Sequence, residues 1–170
     1  MSFFQRIFGE RRQRKAVAPL YDAIVELARD PGWYREGGVP DTLDGRFDMV
    51  AAVTALVLLR LDALGEEGRG ASVLLTELFI DDMDATLRQM GIGDHVVGKH
   101  VGRMMGALGG RLVAFRAARE TGMQEAVRRN VFHEAPPSER AVIGIARRLQ
   151  ELAQGLDELS LPALLEGTLP

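Results

Sequence analysis

Cysteine is absent from the 170-residue chain, which excludes a disulfide framework, thiolate metal ligation and a cysteine nucleophile. Histidine occurs three times, at His95, His100 and His133, so nitrogen ligands and neutral-pH proton shuttles are few. His95 and His100 are five apart and do not share a helix face as ligands four apart would. The longest apolar stretch, Met49 to Leu59, is eleven residues broken only by Thr54, against the roughly 20 needed to cross a bilayer. Sustained period-two alternation, internal repeats and low-complexity tracts are also lacking.

What is there is helical. Apolar residues make up 46% of the chain and charged residues 26%, an ordinary globular balance at the size of one domain. Pro19 reads as a first-turn proline of a helix carrying Leu20, Ile24, Leu27 and Ala28, which stops at Asp30-Pro31-Gly32. Residues 31 to 46 read as a long loop. A helix from Phe47 to Leu64, apolar on nearly every face, reads as the buried centre of a bundle, with Asp44 as a candidate cap and the Thr54 hydroxyl bonding back to its own helix. A turn over 65–70, a helix capped by Ser72 and closed by Gly91, a helix from His95 to Arg119, a short helix over 122–131, a helix capped by Ser138 and a docked tail complete the pattern. The expected fold is all-α, a compact single-domain bundle of about six or seven helices.

The net charge of −3 conceals segregation. Residues 1–20 carry Arg6, Arg11, Arg12, Arg14 and Lys15 against Glu10, a net +4, and the remainder sums to −7. Residues 1–15 are expected to form a basic amphipathic arm and 16–170 the helical domain. In the arm, Phe3, Phe4, Ile7 and Phe8 stand at helical spacing beside Arg11 and Arg12, a pattern suited to lying on a bilayer surface. A frayed, solvated terminus is the competing reading. The apolar part is shorter than a signal-peptide core of roughly 7 residues or more, so secretion is not expected.

Three constellations stand out. Glu77, Asp81, Asp84 and Arg88 share one helix face with Asp82 beside it, a like-charge cost without local reason. A solvated face, a partner-binding face and a carboxylate-metal enzyme site remain open for it, although the Glu-x-x-His pair of di-metal bundles is missing. Gly98, Gly102 and Gly106, followed by Gly109 and Gly110, form a groove on one helix face, either for close packing in the protein's own core or for a foreign helix. Lys99, Arg103, Arg128 and Arg129 form a basic cluster that either pairs with the acidic stripe, stays solvated, or meets RNA or a ribosome. No recognised nucleic-acid motif is present, and DNA is not an expected partner.

Two blocks resemble a known family. Leu20-Tyr21-x-x-Ile24-Val25, Ala28-Arg29-x-Pro31 and Val39-Pro40-Asp41-Thr42-Leu43-Asp44-Gly45-Arg46-Phe47-Asp48-Met49 form the first. Asp81-Asp82-Met83-Asp84-x-x-Leu87-Arg88-x-Met90-Gly91-Ile92-Gly93-Asp94-x-x-Val97-Gly98-Lys99 is the second, with weaker matches at Gly110-Arg111 and Arg128-Arg129-Asn130-Val131. Together, over about residues 20–132, they resemble the ubiquinol–cytochrome c chaperone family.

The resemblance implies a non-enzymatic assembly factor, without cofactor, acting on newly made cytochrome b or another bc1 subunit at the membrane. It further implies a small partner subunit and a ribosome contact in mitochondrial relatives, and the short basic start looks like bacterial members. The expected placement is cytoplasmic, with a peripheral position on the inner face of the cytoplasmic membrane as its finer form. Asp41, Asp44, Arg46, Asp81, Asp82, Asp84, Arg88 and Lys99 are expected to form or support the client-binding face. For Asp41, Asp44 and Arg46 the simpler role is fixing the loop, with Arg46 pairing to a stripe carboxylate.

Overall fold

A computed structural model describes residues 3–89, 91, 94–132 and 136–170, with the side chains of 3–13 and 94–97 outside the description. Its elements are α1 (Phe3–Ala28), α2 (Pro31–Tyr34), α3 (Leu43–Ala63), α4 (Glu66–Gln89), α5 (Asp94–Thr121), α6 (Gln124–Val131), α7 (Glu139–Asp157) and α8 (Leu161–Leu165). The bundle is all-α as expected, with α2 and α8 single short turns.

The most apolar helix is the axis. From Asp48 through Leu59 every residue of α3 is buried, and α1, α4, α5, α6 and α7 pack around it. Such all-round burial requires neighbours on every face, which is why α3 lacks a polar stripe. The outer helices keep theirs: α7 buries Val142, Ile145, Ala146, Leu149, Leu152, Ala153 and Leu156 at three- and four-residue spacing. Ser138 caps α7 by accepting from the Ala141 amide at 3.2 Å. Gly91, at φ 78°, takes the left-handed conformation that ends α4.

Several boundaries differ from the sequence reading. Pro19 lies inside α1 rather than in a first turn. An interior proline costs about 3 kcal/mol, offset here by burial of Val17, Leu20, Ile24 and Ala28 against the core. The segment 31–46 contains α2 and the first turn of α3. Thr42, not Asp44, caps α3, its hydroxyl accepting from the Gly45 amide at 3.0 Å. Gly45 is required there because a Cβ would stand 2.0 Å from the Pro40 carbonyl oxygen. α4 begins at Glu66, so Ser72 lies inside it, and the Thr54 hydroxyl has no hydrogen-bond partner among the described residues.

One ion pair is taken wholly into this interior. Asp48, in α3, and Arg111, in α5, have side chains 2% and 4% exposed and are joined by a hydrogen bond from Arg111 Nη2. The same nitrogen donates to the Asn130 carbonyl of α6 at 2.6 Å, and Nη1 to the Ala107 carbonyl at 3.2 Å. The guanidinium stands 5.7 Å from the Phe47 ring centroid, and that ring meets Phe79 of α4 at 6.1 Å. Burial lowers the Arg111 pKa, and the charge and hydrogen bond of Asp48 oppose it. The pair thus locks α3, α5 and α6 in register.

A second seam joins α1 to α4. Arg14 reaches Asp81 at 2.7 Å and Glu77 at 3.2 Å, and the buried Tyr21 hydroxyl donates to Asp82 at 2.7 Å. Burial, then the hydrogen bond and charge of Asp82, push the Tyr21 pKa well above its usual 10.

Two outcomes follow for stability. Arg111→Met, which removes the guanidinium paired with Asp48, should cost about 3–5 kcal/mol in urea unfolding, and Asp48→Leu/Arg111→Met should recover a large part of that loss; equal destabilisation by the single and double variants would contradict the pairing. Stability should hold up to about pH 10 and then fall as the unfolded chain releases the Tyr21 proton that the fold retains. Tyr21→Phe should shrink that alkaline slope, leaving the part due to Tyr34, whose pKa burial also raises, and should cost about 0.5–1.5 kcal/mol near neutrality.

Candidate functional site

The Asp48–Arg111 pair floors a cleft of about 580 Å³ between α3, α5 and α6. Asp44 and Phe47 form one wall, His100, Arg103, Met104, Ala107 and Gly110 a second, and Arg129 and Asn130 a third. Arg103 donates to a ring nitrogen of His100 at 2.6 Å. The Arg111 Nε, buried at the floor, has no hydrogen-bond partner among the described residues.

Beside the cleft runs an open helix face. Gly98, Gly102, Gly106, Gly109 and Gly110 are all exposed, and a Cβ built on any of them would meet no atom of the described residues within 4 Å. The stripe continues into Val113, which is 69% exposed. It extends about 22 Å from Gly98 to Val113 at 1.5 Å per residue. Of the two readings of the glycines, packing in the protein's own core is therefore overturned for the described residues: the glycines face outward. Each costs roughly 0.5–1 kcal/mol of helix stability relative to alanine, and no intramolecular contact in the described residues repays it.

The electrostatics of α5 change along its length. In its C-terminal half Arg116 pairs with Asp62 of α3 at 2.9 Å and Arg119 with Asp157 of α7 at 3.1 Å. In the N-terminal half the exposed Lys99 and Arg103 make no ion pair among the described residues. Arg128 is held by Glu139 at 2.5 Å and Arg129 by Glu125 at 2.6 Å. Among the described residues the basic cluster makes no ion pair with the acidic stripe. That stripe is met by Arg14 and Tyr21 instead, while Asp84 pairs with Arg88 within its own helix at 2.7 Å.

The eight residues expected at the client face thus occupy different settings. Asp44 lines the cleft and Lys99 stands exposed on α5. Asp81 and Asp82 serve the α1–α4 seam. Asp41 accepts from Arg46 Nε at 2.7 Å, so Arg46 fixes its own loop and does not reach a stripe carboxylate. The side chains of Phe3, Phe4, Ile7, Phe8, Arg11, Arg12 and His95, and residue His133, lie outside the described residues. Among the described residues no three histidine, aspartate or glutamate side chains converge as a metal site, and no helix is long and apolar enough to cross a membrane.

The pairing of Asp48 with Arg111 escaped the sequence reading. Its signal was a charge at the head of the longest apolar run and an arginine set between Leu108 and Leu112, two residues of the inner face of α5. Both lie in the blocks quoted above, without spacing that joins them.

Comparison with known proteins gives a consistent result. The family model described as ubiquinol-cytochrome C chaperone matches residues 35–169. No curated protein matches the chain. Among solved structures, the crystal structure of the Cbp3 homolog from Brucella abortus superposes with a TM-score of 0.79 at 25% identity, covering 98% of this chain and 95% of that one. The match spans the cleft, the glycine-lined face of α5 and the helices that frame them, and the chain belongs to the ubiquinol-cytochrome C chaperone family.

Proposed function

We propose that this protein is a non-enzymatic assembly factor of the cytochrome bc1 complex that holds newly made cytochrome b, or another subunit of that complex, at the membrane. The observation that carries the reading is the outward-facing glycine stripe of α5 in a chain of this family. Glycines four apart let a second helix approach the backbone closely, and small-residue faces of this kind pack apolar helices where the hydrophobic effect cannot discriminate among them. The stripe, with Val113 at its end, seats one helix of the client. Lys99 and Arg103 favour a client flanked by acidic residues, acting on orientation and encounter more than on affinity.

The other expected residues support that face. Asp41 and Arg46 hold the loop ahead of α3, Asp44 stands at the cleft mouth, Asp81 and Asp82 anchor α1, and Asp84 with Arg88 closes α4. The arm residues Phe3, Phe4, Ile7, Phe8, Arg11 and Arg12 bring the chaperone to the bilayer surface as a peripheral protein on the cytoplasmic side. A small partner subunit and a contact with the ribosome complete this reading. An RNA-binding module is less well supported, since Arg128 and Arg129 are already neutralised by Glu139 and Glu125.

The test is to block the stripe without touching the core. Gly102→Leu/Gly106→Leu should leave the purified protein folded, because the side chains meet no atom of the described residues, and should reduce the haem b absorbance of bc1-containing membranes to that of a strain without the chaperone. Wild-type bc1 content in cells carrying the folded variant would overturn the proposal. In parallel, Gly102→Ala/Gly106→Ala should stabilise the isolated protein by about 1–2 kcal/mol, as expected for helix positions with no packing role.

A further inference from the structure

On another part of the surface, the ends of three elements bring three arginines around one small pocket. Arg29 follows α1, Arg35 ends α2 and Arg46 lies in the first turn of α3. With Pro31, Tyr34 and Asp41 they enclose about 210 Å³, the liquid volume of about seven waters. Asp41 is the one carboxylate in the lining, so the wall carries a net +2 in a body that is otherwise acidic.

The frame behind these side chains is fixed. The Tyr34 hydroxyl donates to the Ala28 carbonyl at 2.7 Å and the Trp33 indole to the Leu27 carbonyl at 2.8 Å, clamping α2 to the end of α1. The Gly45 approach to Pro40 and the Thr42 cap set the first turn of α3 beside them. Arg46 spends only its Nε on Asp41. Arg29 and Arg35 make no side-chain hydrogen bond and no ion pair among the described residues. The charges of Arg46 and then Arg35 help hold the Asp41 carboxyl below its usual range, after the Arg46 hydrogen bond that dominates, and those of Arg46 and Arg29 both act on the Tyr34 hydroxyl. The three guanidiniums therefore share one electrostatic neighbourhood in which Asp41 is the one carboxylate of the pocket lining, while Arg29 also borders the adjoining cleft with Asp22, Glu26, Asp30 and Asp82.

We propose that this pocket is a binding site for a phosphate-class oxyanion. One planar fork suffices for a carboxylate, whereas three forks from different helix ends match the several terminal oxygens and higher charge of a phosphate group. The ligand is free phosphate or the phosphate of a lipid headgroup, and the site is independent of the client seat on α5.

The experiment uses the full chain and two double variants of equal charge: Arg29→Gln/Arg35→Gln at the pocket and Arg69→Gln/Arg147→Gln on exposed positions elsewhere. Each is titrated calorimetrically with inorganic phosphate at matched ionic strength, and floated with vesicles of phosphatidylcholine alone or mixed with phosphatidate. The pocket variant should weaken binding about tenfold or more, with the control little changed and helicity preserved in both. Loss in the phosphate titration assigns the free anion, and loss confined to phosphatidate vesicles assigns a lipid. Equal behaviour of the two double variants in both assays, or no binding by the unaltered protein in either, would overturn the proposal.

Discussion

A carboxylate and a guanidinium that have left water together, Asp48 and Arg111, decide where α3, α5 and α6 meet. Each ion is costly in the interior by itself; the other ion offsets its desolvation, and the carbonyls of Ala107 and Asn130 add to this for Arg111. Apolar packing around α3 is strong but undirected: a helix buried on every face accepts neighbours at many rotations. The pair selects one rotation of α5. Once Arg111 points inward and Phe115 and Leu108 join the core, the glycines at 98, 102, 106, 109 and 110 have to face outward.

That geometric consequence links folding to function. A helix of a globular protein usually hides its small residues against a neighbour and shows charge to solvent. In α5 the described glycines are shown, and the charges of the C-terminal half are tied to α3 and α7. The N-terminal half, with Lys99 and Arg103 beside the open stripe, makes no ion pair among the described residues. The chain that carries this open face belongs to the ubiquinol-cytochrome C chaperone family. The seam from Arg14 and Tyr21 to Asp81 and Asp82 has a related effect. It absorbs much of the acidic stripe whose like charges had no local explanation on α4.

How much of this was legible in the sequence depends on the range of the interaction. Local signals were readable: the periodic apolar positions of α7, the Ser138 cap, the left-handed Gly91 and the all-apolar stretch that becomes the axis. Boundaries failed where two local signals competed. Glu66 and Glu67 suit the positive end of a helix dipole, and α4 starts there despite the surrounding glycines. Thr42 was preferred to Asp44 as a cap because Gly45 lets the chain pass close to Pro40. Non-local facts were not readable. Spacing shows that the glycines share a face but not what that face meets, and nothing in the sequence joins Asp48 to Arg111 across 63 positions or Arg14 to Asp81 across 67.

The proposed seat of a client helix is the glycine face of α5. A photo-crosslinking residue placed at Gly106, with a control at the exposed Glu151 of α7, tests it during membrane-protein synthesis in cells. A client helix resting on this face gives a light-dependent adduct with cytochrome b, or with another subunit of the bc1 complex, from position 106 and none from 151. Adducts of equal yield from both positions, or adducts from 151 alone, would contradict it.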